Sequence, residues 1–357
     1  MTGHLDAVRS AVQDVIVRVG VDGAQDDEID RAVWRALDEL GFTTLTVPAE
    51  LGGSGGDICD AAAAVGAAAL ANIPLGEALL LAGPLLSAAG LQWPGSVVTA
   101  STALGVRVDS GPERLLFGRV PRVPWLRGAT RVVLLVNDDG QPAVAIVDTD
   151  CAGLSLTAGS NVAGEPRDDL VLNGARPSVV ACLPASCDAL RVIQFGAVCR
   201  TSQMAGASGQ ALLLTARHVA QRVQFGRPLI KFQAVQHMLA GLAADVTTVQ
   251  MAADTAAIAM RDRPANANVT IAAAKAEASS LARRIAAVSH QLHGAIGFSR
   301  EHALGACTQR LWSWREEFGN ELIWQRRLAD HVADASGEIW SVVTDTTSTL
   351  TSASTPR

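Results

Sequence analysis

The stretch from residue 217 to 239, RHVAQRVQFGRPLIKFQAVQHML, does most to limit what this chain can become. Leu212, Leu213, Ala216 and Val219 lead into it at helical spacing. The helix breaks at Gly226 and Pro228, and a second one restarts over 232–239. Glycine ends a helix because it tolerates positive φ, and proline has no N–H to donate in a helix interior. The spacing therefore predicts two helices joined by a turn of fixed geometry. That turn presents Arg222, Gln224 and Phe225 on one side and Gln233 on the other. A single Arg or Gln in a helical hairpin carries no functional message; the ordered set does.

At 357 residues, 49% hydrophobic and 18% charged, the chain is long enough for two or three domains with substantial cores and is not a disordered one. It contains no Tyr, so no phenol can act as acid, base or stacking platform. A formal charge of −6 offers no basic stripe for nucleic acid. The N-terminal run MTGHLDAVRSAVQDV lacks the pattern of a secretory signal. The most apolar window, 78–91, is broken by Gly83 and Pro84 and is too short to span a bilayer, so no membrane insertion is expected. Cys59, Cys151, Cys182, Cys187, Cys199 and Cys307 form no C-x-x-C pair and have no histidine at metal-ligand spacing. They read as free thiols in a reducing compartment, the cytoplasm, and no metal site is expected.

Hydrophobic periodicity divides the chain. Residues 1–92 read as helices: one with Leu5, Val8, Val12, Val15 and Ile16 on a face, one from about 27 to 40, and Ala/Leu-rich helices over 58–72 and 75–90. Over 93–186 short β-branched runs separated by turns predict an antiparallel β domain, a small barrel or sandwich, with a hairpin at RVVLLV-NDDG-QPAVAIVD. Helical periodicity returns over 187–342, with helices expected at 188–223, 232–262, 267–293, 300–313 and 317–334. The Ser/Thr-rich tail 343–357 is expected to be disordered. The fold class is α+β: helical domain, middle β domain, helical bundle.

The run R-x-Q-F-G-x-P-L-I-x-F-Q-x-x-Q-H at 222–237 resembles a signature of the acyl-CoA dehydrogenases. Two further runs resemble that family: WRALDELGFTTLTVPAELGG at 34–53 and QLHGAIGFSREH at 291–302. The resemblance implies the three-domain acyl-CoA dehydrogenase fold, FAD as cofactor, an acyl-CoA thioester as substrate and electron-transfer flavoprotein as acceptor. It implies Arg222 and Gln224 near the cofactor's pyrophosphate end, Phe225 packed against the cofactor, and Gln233 among the cofactor-binding residues. Gln291 and Gly294 would approach the same cofactor from a neighbouring subunit, although Ala295 stands where the family usually has a second Gly.

The chemistry of that family needs a carboxylate against the substrate α carbon, shielded from water. Its usual position, about twenty residues after Gly297-Phe298, falls here on Phe318. A one-residue shift brings Glu317 into line, and Glu316 lies beside it; their other reading is an acidic first turn of the helix expected at 317–334. The alternative base position in the family, on the long helix, falls on Gly196, and the substrate-side Arg beside it on Ala197. The flavin-holding strands are also altered, with Thr99–Thr102 and Trp125 in place of the usual runs. The sequence therefore resembles most the non-catalytic type of subunit in heteromeric α2β2 acyl-CoA dehydrogenases of steroid-type CoA ester degradation, where a homologous partner supplies the catalytic Glu. A self-sufficient homotetramer using Glu317 or Glu316, and a flavin-free scaffold or acyl-CoA-binding protein, are the other readings.

Overall fold

The computed structural model describes residues 2–20, 28–264, 266–299 and 302–334. The tail 343–357, the last residues of the expected bundle and the expected helix start near Asp27 lie outside the described residues. The first layer is helical: α1 (Thr2–Val19), α2 (Arg31–Glu39), α3 (Ile58–Ala67), then α4 (Leu75–Glu77) and α5 (Gly83–Ala88) joined by a π-helical turn (Ala78–Ala82). Local chemistry starts these helices. The Asp30 carboxylate accepts the Val33 N–H at 2.9 Å, and Asp57 and Asp60 form a capping box on α3.

One seven-stranded sheet follows: β1 (Val98–Val108), β2 (Leu116–Pro124), β3 (Arg131–Asp138), β4 (Gln141–Asp148), β5 (Leu154–Thr157), β6 (Arg167–Ala175) and β7 (Val179–Cys182). Its order is β5-β6-β2-β1-β3-β4-β7. The expected hairpin is β3–β4, with Arg131 opposite Asp148. The sheet corrects two expectations, because it is mixed and it is one sheet with β5 and β7 at its edges. After β2 runs back along one side of β1, a 3-10 turn (Leu126–Gly128) carries the chain to the other side, so β3 lies parallel to β1 with Val98 opposite Arg131. Val132, Leu134 and Val136 face one core with Val120 and Leu170, while Val133, Leu135, Val144 and Ile146 face the helices. Burial on both faces explains the continuous apolar runs of β3 and β4.

The bundle comprises α6 (Ala189–Gln221), α7 (Gln233–Asp262), α8 (Ala267–His293), α9 (Leu304–Glu316) and α10 (Glu321–Asp334). α6 is the spine. Its first half packs in the core shared with the N-terminal helices and the sheet, and its second half in the core of α7, α8 and α9. Small residues let it approach α3 closely: a Cβ on Gly206 would overlap the Gly66 carbonyl. The run Ser202–Gly209 is thus packing surface.

The end of α9 differs from expectation. Helix α9 continues to Glu316 with Glu317 as its C-cap, and Phe318 (φ +55°) and Gly319 (φ +94°) make a left-handed turn. The Asn320 side chain then accepts the Ile323 N–H at 3.2 Å as α10 starts. Glu316 and Glu317 therefore sit at the negative end of one helix, not the positive end of the next. Lys275 on α8, fully buried, satisfies that end by donating to the carbonyls of Arg315 (3.0 Å) and Gly319 (2.8 Å) and to Ser279 Oγ (2.9 Å).

Candidate cofactor face and candidate active centre

The turn after α6 is a two-stranded ribbon. β8 (Val223–Gln224) pairs with β9 (Arg227–Pro228), and the loop residues Phe225 and Gly226 have φ of +50° and +77°. Two left-handed residues in a two-residue loop define a type I′ hairpin, which disfavours a side chain at either position. Phe225 nevertheless occupies one of them, 90% exposed, with its ring 6.1 Å edge-on from Phe232. The Arg227 guanidinium lies 4.2 Å over the other contact, the Phe232 ring. Arg222 and Gln224 are exposed beside Phe225, and Gln233 is the exposed first residue of α7. No side chain caps α7, so its first-turn N–H groups remain open at this end. Such a helix start, flanked by arginines, suits an anionic group.

The second motif adjoins the first. α8 ends at His293, and Gly294 follows with φ +65° and ψ −147°, a conformation essentially limited to glycine. Gln291 and Gly294 are exposed. His293 stacks on His218 of α6 with ring centres 4.5 Å apart, which fastens the two motif segments together. Within one chain, both motif segments therefore lie at one end of the bundle. That end is remote from Gly196. The intervening 26 residues of α6 span roughly 39 Å at 1.5 Å per residue.

At the other end the two expected base positions touch. The Phe318 ring lies so close on Gly196 that a Cβ there would overlap it. Ala197 is fully buried. A cavity of about 480 Å³ adjoins this contact, lined by Ser101, Pro124, Trp312, Glu316 and Phe318 among others. The Thr99 hydroxyl does not reach it; buried, it donates to the Pro124 carbonyl at 2.6 Å. Trp125, at φ +54°, turns into the core shared with the N-terminal helices.

Glu317 has no free oxygen. Oε1 accepts from Arg167 Nε (2.8 Å) and Asn161 Nδ2 (3.2 Å), and Oε2 from Arg200 Nε (2.7 Å) and Arg167 Nη2 (3.1 Å). Burial alone would raise its pKa, but the two guanidinium groups and the Asn161 bond hold it down to about 2. The network continues through Arg200 to Glu77 (2.7 Å), through Arg167 to Glu165 (3.0 Å), and from Glu165 to the Trp314 indole N–H (3.0 Å). Arg310 joins it, bonding Asn72 and lying 3.4 Å from Glu165. Three carboxylates (Glu77, Glu165, Glu317) thus face three guanidinium groups (Arg167, Arg200, Arg310) across the N-terminal helices, the sheet and the bundle. Glu316 is different, with its side chain 55% exposed and Asn320 Nδ2 donating to it at 3.1 Å.

Sequence reasoning missed this network, giving no role in it to Arg200, Arg167, Glu77 or Lys275. The signal was there in F-G-A-V-C-R-T. A charge inside an apolar helical run is either exposed or paired, and Arg200 is 1% exposed.

A helical layer, a mixed sheet, and a bundle whose end gathers both motif segments are the layout of a flavin-linked dehydrogenase subunit. The chain belongs to the acyl-CoA dehydrogenase family: residues 4–93 match the acyl-CoA dehydrogenase N-terminal domain and residues 188–336 the C-terminal domain. FAD is the cofactor of this family. Among its relatives is the acyl-CoA dehydrogenase FadE27 of Mycobacterium tuberculosis, 27% identical over 303 residues, covering 78% of this chain and 81% of the relative. Among solved structures, the ChsE4-ChsE5 complex from Mycobacterium tuberculosis superposes with a TM-score of 0.82 at 22% identity, over 92% of this chain and 97% of that one. A variant of the Tcur3481-Tcur3483 steroid ACAD does so with a TM-score of 0.81 at 22% identity, over 94% and 99%. At that identity the structures establish the shared fold. Among the described residues, no helix is long and apolar enough to cross a membrane, and no group of His, Cys, Asp and Glu is placed to hold a metal.

Proposed function

We propose that this chain is a subunit of a heteromeric acyl-CoA dehydrogenase, probed best as an α2β2 assembly, that helps complete an FAD site while a homologous partner supplies the catalytic Glu. The observation that carries this reading is the Phe318–Gly196 contact. It fills both places where a base is expected and leaves no carboxylate in either. FAD, when bound, supplies the hydride acceptor for α,β-dehydrogenation of an acyl-CoA thioester. Arg222 and the open N–H groups of α7 fit the charge of its pyrophosphate, Gln224, Gln233 and Gln291 offer hydrogen bonds, and Gly294 gives close backbone approach. Exposed Phe225 offers an apolar contact to the cofactor. These groups lie too far along α6 from Phe318 to serve this chain's own centre, so they point to a neighbour's. The likeness to ChsE4-ChsE5, a complex of two different chains, supports a homologous partner. Steroid-type CoA esters as substrates, electron-transfer flavoprotein as acceptor and the cytoplasm as compartment belong to the same reading.

Glu317 does not suit the work of a base, because a carboxylate held at about 2 takes a proton poorly near neutral pH. One observation favours a self-sufficient enzyme instead: Glu316, like Glu317, lines the cavity beside Phe318. The exposure of Glu316 to water argues against it. Producing the chain alone and together with a homologous subunit separates the readings. Flavin and acyl-CoA-dependent dye reduction only in the co-expressed complex support the proposal. A yellow, active chain on its own refutes it, and a complex whose flavin content ignores Arg222→Ala refutes the cofactor role.

A further inference from the structure

The histidines between the two motif segments do something the cofactor reading does not use. His218 stacks on His293, and His293 meets His302 edge-on with ring centres 4.9 Å apart. Their hydrogen bonds fix the protons. His293 Nδ1 donates to the Ser289 carbonyl at 2.8 Å, so in the neutral ring Nε2 is bare, and it is buried with no partner. His302 Nδ1 accepts the Leu304 N–H at 3.1 Å, so it too is bare. His290, which stacks on Phe298 at 4.4 Å, donates from Nε2 to Thr308 Oγ1 (3.0 Å), because that hydroxyl gives its own proton to the Leu304 carbonyl; Nδ1 is left buried and unpartnered. The hydrogen bonds of His290 and His293 fit only the neutral ring. A proton on His293 creates a buried donor without an acceptor.

We propose that the His218–His293 stack, with His302 packed edge-on against His293, forms an acid-sensitive clasp that holds the 222–228 hairpin and the 291–298 segment together and releases them as His218 and His293 take up protons. The charges facing it oppose protonation. On α6 there is Arg222, four residues beyond His218; on α8 there are His290 and His293; at the start of α9 there is His302. Arg310 of α9 lines a cavity shared with His290 and His302 and is engaged with Glu165 and Asn72. Burial first lowers the pKa of His218, His290 and His293; in His293 the Ser289 bond works the other way, and the neighbouring charges lower all three further. Two charges at stacking distance make the second proton bind roughly one to two orders of magnitude more weakly than the first. A lowered folded pKa means that the opened form binds protons more readily. The clasp's stability is therefore fully present above the ordinary histidine value of 6.5 and is lost as pH falls below it.

That the clasp positions a cofactor-facing surface rests on the function proposed above; the clasp itself is a property of this chain alone. The test is amide hydrogen exchange of the full chain without flavin at several pH values from neutral to mildly acidic. Rates are corrected for intrinsic pH dependence, and peptides from Ile58–Ala67 serve as the internal reference. The clasp predicts that opening of 218–228 and 291–298 rises about tenfold or more between pH 7.5 and 5.5 relative to the reference. His218→Gln, at the half-exposed end of the stack, flattens that dependence. Histidine ring NMR on the unaltered chain gives titration midpoints below 6.5 for His218 and His293. Exchange that tracks the reference, an unchanged rise in His218→Gln, or midpoints at or above 6.5 each overturn the clasp. None of these outcomes depends on whether the chain binds FAD.

Discussion

Replacing Glu317 by Gln removes one charge from the centre of the buried network and keeps the side-chain shape. The carboxylate's pKa falls from 4.5 to about 2 in the fold, and at 1.36 kcal/mol per unit that drop corresponds to about 3 kcal/mol of stability near neutral pH. The side chain is 13% exposed, so solvent screening takes little from this figure. An independent route agrees, since removing one member of a buried ion pair costs roughly 3–5 kcal/mol by leaving its partners uncompensated, and here Arg167 and Arg200 are both left. For a chain of this size the midpoint of thermal unfolding should drop by about 4–7 °C. The sign with pH is fixed. A depressed carboxylate contributes stability above its unfolded value of 4.5 and loses it as pH falls through about 2, so the two proteins should differ constantly from neutral pH to about pH 5 and converge in strong acid. Differential scanning calorimetry across that range measures it, alongside dehydrogenation per folded complex, which should stay within about threefold of the original. Unchanged stability in Glu317→Gln together with a collapse of turnover by about a thousandfold, the behaviour of a lost catalytic base, would refute a structural role for this carboxylate.

Further outcomes follow from the same contacts. Gly196→Ala should destabilise the chain by about 1–3 kcal/mol through overlap with Phe318, and adding Phe318→Ala should recover part of that loss, a coupling that urea denaturation of the four proteins measures. Phe318→Ala alone should give no acyl-CoA-dependent dye reduction, because opening the space restores no base. Arg222→Ala, on an exposed helix end, should leave the melting temperature of the chain unchanged and lower the flavin content of the complex at least tenfold, read by absorbance. Lys275→Met should cost about 2 kcal/mol by stranding the carbonyls of Arg315 and Gly319. Burial lowers the Lys275 pKa from 10.5 to about 7, so the original chain should gain stability relative to Lys275→Met as pH rises from about 7 to 10, which chemical denaturation at several pH values checks.

Layout was legible because it rests on local signals. Gly226 and Pro228 had to end α6, and the Asn-Asp-Asp-Gly turn had to close β3 onto β4. The parallel placement of β3 beside β1 was not legible, because it depends on which edge of β1 the chain reaches after Trp125, and no pattern along one strand records its neighbours. The Glu316–Asn320 segment failed for a different reason. Acidic residues ahead of an apolar run read as a helix start, yet Gly319 as a stop and Asn320 as a cap were the stronger marks and place the start four residues later, at Glu321. The ion network joins residues far apart in sequence, such as Glu77, Arg167 and Glu317, and spacing carries no trace of such contacts. What sequence offered was only that Arg200 stood within an apolar run and that Phe318 stood where an acid was expected. The structure joins those two facts, because the Arg200 guanidinium lies 5.5 Å from the Phe318 ring and bonds the neighbouring Glu317.

The most direct test of the account is the turnover of two complexes with a homologous subunit that retains a Glu at the position of Phe318. In one complex that partner Glu is replaced by Gln, and in the other Glu316 and Glu317 of this chain are both replaced by Gln. The account predicts that the first loses acyl-CoA dehydrogenation by about a thousandfold with its flavin retained, and that the second, once folded, keeps it. Loss of turnover in the second complex, with the first still active, would contradict the claim that this chain's own centre is closed to chemistry.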